Sequence, residues 1–142
     1  MSDNLINFSS IDDAYNSRDW NAYGALLDDG FRGWAQGSIG PHGKAAHLRQ
    51  AKEFCAVSAD NRVHNSDYIV RIADEQWTCT IARLTGSMTG PLKRSDGTML
   101  EPSRQTFDTT FATIARWADG KIVEEYEFLD VGAILRQLGA NV

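Results

Sequence analysis

The apolar positions of this chain change period once. Up to about residue 57 they recur at helical spacing, and from Val63 onward they alternate. Ser10 to Asp13 resembles a capping box with Asp in place of Glu, and a short helix follows with Ile11, Ala14 and Tyr15 on one side. Asp19 is placed to cap a second helix in which Tyr23, Leu26 and Leu27 recur, with Asp29-Gly30 ending it. Phe31 to Ala35 reads as a short strand, and Gly37 to Gly43 as a loop with three glycines and Pro41. Between Lys44 and Val57 the apolar positions Ala45, Leu48, Ala51, Phe54, Cys55 and Val57 form a helical stripe, which Ser58 to Asn61 stops.

The second half reads as strands. Val63 to Ile72 is one, Ala73 to Gln76 a turn, and Trp77 to Thr89 a long strand rich in threonine and aliphatics. Pro91 to Ser103 is a charged loop, and Gln105 to Trp117 another long strand. Asp119-Gly120 is a strong hairpin signal, leading into a last strand from Ile122 to Leu129. Asp130 then caps a helix with Val131, Ile134, Leu135 and Leu138 on one stripe, closed by Gly139. Helices segregated from a meander of strands predict an α+β fold. The expected shape is a cone: a curved antiparallel sheet, three N-terminal helices over its concave face, and a short C-terminal helix.

Composition narrows the picture. A length of 142 residues fits one domain, spanning the whole chain. With 42% hydrophobic residues it can build a core and is no disordered segment. Net charge is -5 and no Lys/Arg run stands out, so no nucleic-acid partner is expected. No apolar run is long enough for a membrane span, and MSDNLINFSS has no basic and apolar leader, which predicts a cytoplasmic protein. Cys55 and Cys79 make no disulfide framework and are expected reduced. His42, His47 and His64 share no metal-ligand spacing, so no zinc site is expected. No Ser or Cys sits in a nucleophile elbow, and the glycines of the Gly37–Gly43 loop follow no phosphate-binding pattern.

The last strand carries the candidate chemistry. Alternation puts Glu125 and Glu127 on one face, with Glu124, Tyr126 and Phe128 on the other. In a dry pocket, paired carboxylates gain raised pKa values suited to proton transfer. A two-residue hairpin at Asp119-Gly120 would set Glu127 opposite Ala112, Glu125 opposite Ile114 and Leu129 opposite Thr110. Asp108 and Arg116 then share the acids' face, while Phe107, Phe111 and Trp117 share that of Tyr126 and Phe128. Two assignments stay open. Either the polar face lines a cavity and the aromatic face meets a second copy, or the aromatic face lines the cavity and the acids meet water. Asp108 also has a plain alternative, pairing with Arg116 or Arg104. Asp130 is explained fully as a cap.

Three segments carry a family resemblance: NSRDWNAYGALLDDGF (Asn16 to Phe31), TGSMTGPL (Thr85 to Leu92) and DGKIVEEYEFLDVGAILRQLG (Asp119 to Gly139). In order and spacing the chain resembles the SnoaL-like polyketide cyclases, in the superfamily of nuclear transport factor two and ketosteroid isomerase. The resemblance implies a cystatin-like cone, a homodimer, and a hydrophobic cavity in each subunit. It implies aldol ring closure on a small apolar ligand with no cofactor or metal, an acidic side chain moving the protons. Glu127 falls where such cyclases carry the acid/base Asp, Glu125 where they carry a His, and Met88 where a His is common. Tyr15 falls at a pocket aromatic, and Trp34 opens the segment that crosses the cavity mouth. Catalytic candidates are therefore Glu127, Glu125 and Asp108, and substrate-binding candidates are Tyr15, Trp34, Met88 and Thr110. The alternative is a non-catalytic ligand-binding or dimeric interaction module of the same fold.

Overall fold

A computed structural model describes residues 3–140, which form four helices and eight strands. Helix α1 (Asp3–Ser17) leads through α2 (Trp20–Ala25) into strand β1 (Leu27–Ala35) and helix α3 (Lys44–Val57). Strands β2 (Arg62–His64), β3 (Val70–Ala73) and β4 (Trp77–Ser87) follow, then a small hairpin of β5 (Leu92–Lys93) and β6 (Met99–Leu100). The long β7 (Thr106–Ala118) and β8 (Lys121–Phe128) precede helix α4 (Val131–Gln137). The main sheet has the order β1-β8-β7-β4-β2, with β3 also on β4. The predicted α+β architecture, a curved sheet with helices against it, is the one observed. No helix among the described residues is long and apolar enough to cross a membrane.

Four local expectations change. The first helix starts at Asp3, so Ser10 lies inside it and its hydroxyl bonds back to the Ile6 carbonyl at 3.1 Å. Phe8 extends the apolar stripe one turn toward the N-terminus and is buried with Ile11 and Ala14. The second helix ends before Leu27, which opens β1, so Asp29-Gly30 lies in that strand instead of ending the helix. There the register with β8 shifts between Leu27 and Arg32. β1 runs parallel to β8, so the sheet is antiparallel apart from this pair. The expected strand from Val63 to Ile72 is split in two. Its polar middle bonds α1 instead of β4: Asn65 donates to the Ser9 carbonyl and to Asp13, and Tyr68 donates to Asp12.

The other signals act as their chemistry suggests. Asp19 and Asp130 each cap a helix, accepting from the backbone N–H of Ala22 at 3.1 Å and of Ala133 at 2.9 Å. Ile134 and Leu138 of the last helix are buried against Leu84, Met88 and Phe107. Beyond β4 the chain crosses the end of α3, where the N–H groups of Thr89 and Gly90 both donate to the Val57 carbonyl, at 2.9 and 3.0 Å. A Cβ on Gly90 would stand 2.0 Å from the Ala56 carbonyl oxygen, and backbone cannot swing aside as a side chain can. Gly90→Ala is expected to destabilise the fold by about 2 to 3 kcal/mol, read as a lower urea midpoint. An unchanged midpoint would mean that this crossing is not tightly held.

Candidate functional site

One extra residue in β8 decides what the cavity contains. Asp119 and Gly120 adopt positive φ (52° and 75°) and close the predicted tight turn, pairing Ala118 with Lys121 and Trp117 with Ile122. The register then slips: Arg116 pairs with Glu124, skipping Val123. Glu125 therefore faces Ala115 and Glu127 faces Thr113, each one residue from the unbulged pairing. The bulge joins two sets that plain alternation keeps apart. The inward face carries Phe107, Phe111, Thr113, Ala115 and Trp117 of β7 together with Glu125 and Glu127. Tyr126 and Phe128 point outward with Asp108 and Thr110. Neither expected assignment of the faces holds whole: the acids point inward, and so do all three aromatics of β7.

Between sheet and helices lies a cavity of about 500 Å³. Its walls are apolar, with Phe8, Ile11, Phe54, Val57, Val63, Leu84, Phe111, Ile134 and Leu138. Asp12, Tyr15, Tyr23, His47, Thr113, Glu125 and Glu127 make its inner polar part, and Gln50, Glu53 and Lys93 also line it. Three carboxyl groups thus meet in one low-dielectric space. Among the described residues, no Lys or Arg lies within ion-pair distance of any of them. Asp12 is 7% exposed and Glu125 5%. Glu127 keeps some accessible surface, which it owes to the cavity it lines.

Burial governs their protonation. Loss of hydration pushes Asp12 up to about 7; the Tyr68 hydrogen bond works against this, and the charges of Glu127 and Asp13 add to it. Burial raises Glu125 well above the ordinary carboxyl range, with Glu127 and then Asp12 adding repulsion. Burial alone raises Glu127. His47 is driven the other way, down to about 4, by burial and then by His42. Tyr23 shares a 3.0 Å hydrogen bond with His47 Nε2, and burial holds its phenol well above the usual range. Tyr15 donates to Asn61 Oδ1 at 2.6 Å. Asp12 and Glu125 have partners in Tyr68 and, at 3.7 Å, His47. Among the described residues none donates a hydrogen bond to the Glu127 carboxyl, so it faces the cavity with free lone pairs.

The structure brings Glu125, Glu127 and Tyr15 together and places the other sequence candidates elsewhere. Asp108 lies on the outer face in a bidentate pair with Arg83 (3.0 and 2.5 Å), while Arg116 pairs with Glu124 at 2.9 Å. Thr110 is exposed on that same face. Trp34 stacks on Tyr126, ring centroids 4.8 Å apart, also outside. Met88 is fully buried in the core under α4, where its sulfur accepts from the Ser103 N–H. All four placements follow from strand parity and core packing. Asp12, Tyr23, His47 and Tyr68 were absent from the sequence candidates. Asp12 stands at i+4 from Phe8, and His47 at i−4 from Ala51, so each is a polar residue on an apolar stripe, which is a usable signal. Among the described residues no group of three or more His, Cys, Asp or Glu is arranged to hold a metal ion.

Comparisons extend the picture. The family model described as SnoaL-like polyketide cyclase matches residues 8–138. No curated protein matches the sequence. Among solved structures, a SnoaL-like protein from a Jannaschia species superposes with a TM-score of 0.81 at 20% identity, covering 99% of this chain and 94% of that one. IdmH from Streptomyces antibioticus, a candidate polyketide cyclase, gives 0.79 at 18% identity over 96% of this chain and 99% of its own. A protein of ketosteroid isomerase-like fold from Catenulispora acidiphila, solved with trimethylamine, gives 0.73 at 15% identity, covering 95% and 93%. At these identities the likeness is one of fold.

Proposed function

Since the chain belongs to the SnoaL-like polyketide cyclase family, we propose that its cavity is an active site for proton abstraction alpha to a carbonyl group of a small apolar substrate. The observation that carries this reading is Glu127: a carboxyl lining a largely apolar cavity, with no donor and no Lys or Arg within ion-pair distance among the described residues, next to two further buried acids. Ionised, it is a desolvated base of raised basicity. It takes the proton from carbon, and the electron pair moves onto the carbonyl oxygen. A neighbouring carboxyl that burial keeps protonated, Asp12 or Glu125, supplies a hydrogen bond to that oxygen, as a neutral acid can in an apolar site. Protonated Glu127 then returns its proton to carbon or to a new hydroxyl. Cyclisation, isomerisation and dehydration all pass through this enolate, and the substrate's own carbonyl holds the charge without metal or cofactor.

Tyr15 and the apolar wall position the substrate in this reading. A second copy of the chain would dock on the outer face, where Phe128 is 50% exposed beside the Trp34–Tyr126 stack. The test uses 2-tetralone, a compact bicyclic ketone with acidic alpha protons, in deuterium oxide. Saturable loss of its alpha-proton NMR signals with the wild-type protein, slowed by about two to four orders of magnitude in Glu127→Gln, is expected. Exchange at the wild-type rate in Glu127→Gln would remove Glu127 as the base. Binding of 2-tetralone without any exchange would make the cavity a ligand-binding module.

A further inference from the structure

We propose that His42 and His47 conduct protons between solvent and Glu125 through the rear wall of the cavity. The two rings meet edge to edge. His42 Nε2 lies 2.8 Å from His47 Nδ1, and the ring planes differ by 5°. The far nitrogen of His47, Nε2, reaches the Tyr23 hydroxyl at 3.0 Å and Glu125 Oε1 at 3.7 Å. His47 is buried, stacked near Tyr23 and 4.8 Å from the Phe31 ring centroid. His42 is half-buried, so it meets solvent, and it is not among the residues lining the cavity. The line thus runs from water, through two imidazoles, to a carboxyl in the cavity floor.

The seat of His42 is built for this contact. Its backbone exchanges two hydrogen bonds with Gly33 of β1, both 2.9 Å long. A Cβ on Gly33 would stand 2.7 Å from His42 Nε2, so the ring occupies the space that a side chain there would fill. β1 also holds the edge of β8, with Gly33 paired to Glu125 itself. One glycine therefore fixes the outer ring and registers the acid at the other end.

Imidazole suits the task because each ring can accept on one nitrogen while it donates from the other. A water proton binds His42 Nδ1, the Nε2 proton of His42 passes to His47 Nδ1, and the Nε2 proton of His47 passes to the Glu125 carboxylate. One proton enters and one is delivered, and the reverse sequence restores both rings. Burial lowers both rings from their ordinary value, His47 to about 4, which favours the neutral form in each. The last step is the longest and needs Glu125 to swing toward the ring. The path matters when a ligand fills the cavity and closes the floor to water, because the acids then keep one route to solvent.

Its use in turnover rests on the proton-transfer reading above, but the path can be tested without turnover. The full chain, with histidine labelled by nitrogen-15, is saturated with 2-tetralone, and solvent exchange of the His47 ring proton is measured by NMR. His42→Gln keeps a hydrogen bond to His47 but offers an amide, which does not pass protons at neutral pH. It is expected to slow that exchange at least about tenfold. His42→Ala should slow it equally, and added imidazole should restore it; this second variant decides the matter if the first does not fold. Wild-type exchange rates in either variant overturn the path. Glu127→Gln leaves this exchange intact and addresses the active-site reading alone, so the two can fail separately.

Discussion

Glu127→Gln is expected to slow alpha-proton exchange on 2-tetralone by about two to four orders of magnitude, the usual contribution of a positioned general base. Gln matches Glu in shape and fills the same space opposite Thr113. It cannot take a proton, so the loss reports basicity and not packing. Glu124→Gln is the matched control: Glu124 is next to the site in sequence but lies outside, paired with Arg116 at 2.9 Å, and its loss should leave exchange unchanged. In the wild type the rate should climb as pH passes the raised Glu127 value, above the ordinary 4.5. It should fall again near pH 7 if Asp12, raised to about 7, supplies the neutral donor. Because the three acids interact, both limbs belong to the cluster and not to single residues. A single rising limb would remove Asp12 from the role of donor.

Asp12→Asn should make the protein more tolerant of alkaline conditions. A carboxyl whose pKa is raised on folding binds its proton more tightly in the native state. Stability is therefore full below the unfolded value of 3.8 and falls as pH rises toward about 7. That shift corresponds to about 4 kcal/mol as an upper bound. Asn abolishes this slope and still offers an oxygen to the Tyr68 hydroxyl. The advantage of Asp12→Asn over the wild type should thus widen from acid to neutral pH and then level off. His47 opposes this trend in the wild type. Its value is lowered from 6.5 to about 4, so it adds stability as pH rises across that window. Urea midpoints of both proteins, compared at each pH, cancel the His47 contribution. Parallel curves would show that Asp12 has an ordinary pKa and no desolvated carboxyl.

The sequence reveals elements where local chemistry brackets them. The α3 stripe lies between Gly43 and Ser58, and the helix runs over Lys44–Val57 as expected. The Asp119-Gly120 turn and the Asp130 cap are set by their own residues. The site is less legible, because it depends on parity counted along β8. Val123 carries no mark of its own as a bulge; it is skipped because Ile122, already paired with Trp117, and Glu125 must both point inward. Counting straight through it brings Asp108 and Thr110 to the acids' face, whereas the structure puts them outside. Asp12 was hidden differently. Its place four residues after Phe8 hints at burial, but its partner is visible only in the fold, where the Tyr68 loop leaves β4 to reach α1. The pairing of His42 with His47 depends on the bridge between His42 and Gly33, which no sequence spacing announces.

The parallel pairing of β1 with β8 also bears on how the chain folds. It joins Leu27 to Ile122 and Ala35 to Glu127, 95 and 92 residues apart in a chain of 142. Contacts of such separation form late, after the hairpin of β7 and β8 and the local helices have lowered the entropy of closure. The acids are sealed from water only when α1, α3 and β1 dock on that hairpin. Their unfavourable desolvation is then felt on the native side of the folding barrier and not before it. Relieving it, as Asp12→Asn does at neutral pH, should lengthen the lifetime of the folded state and leave the rate of folding nearly untouched. The groups arranged for chemistry thus also hasten the opening of the folded protein.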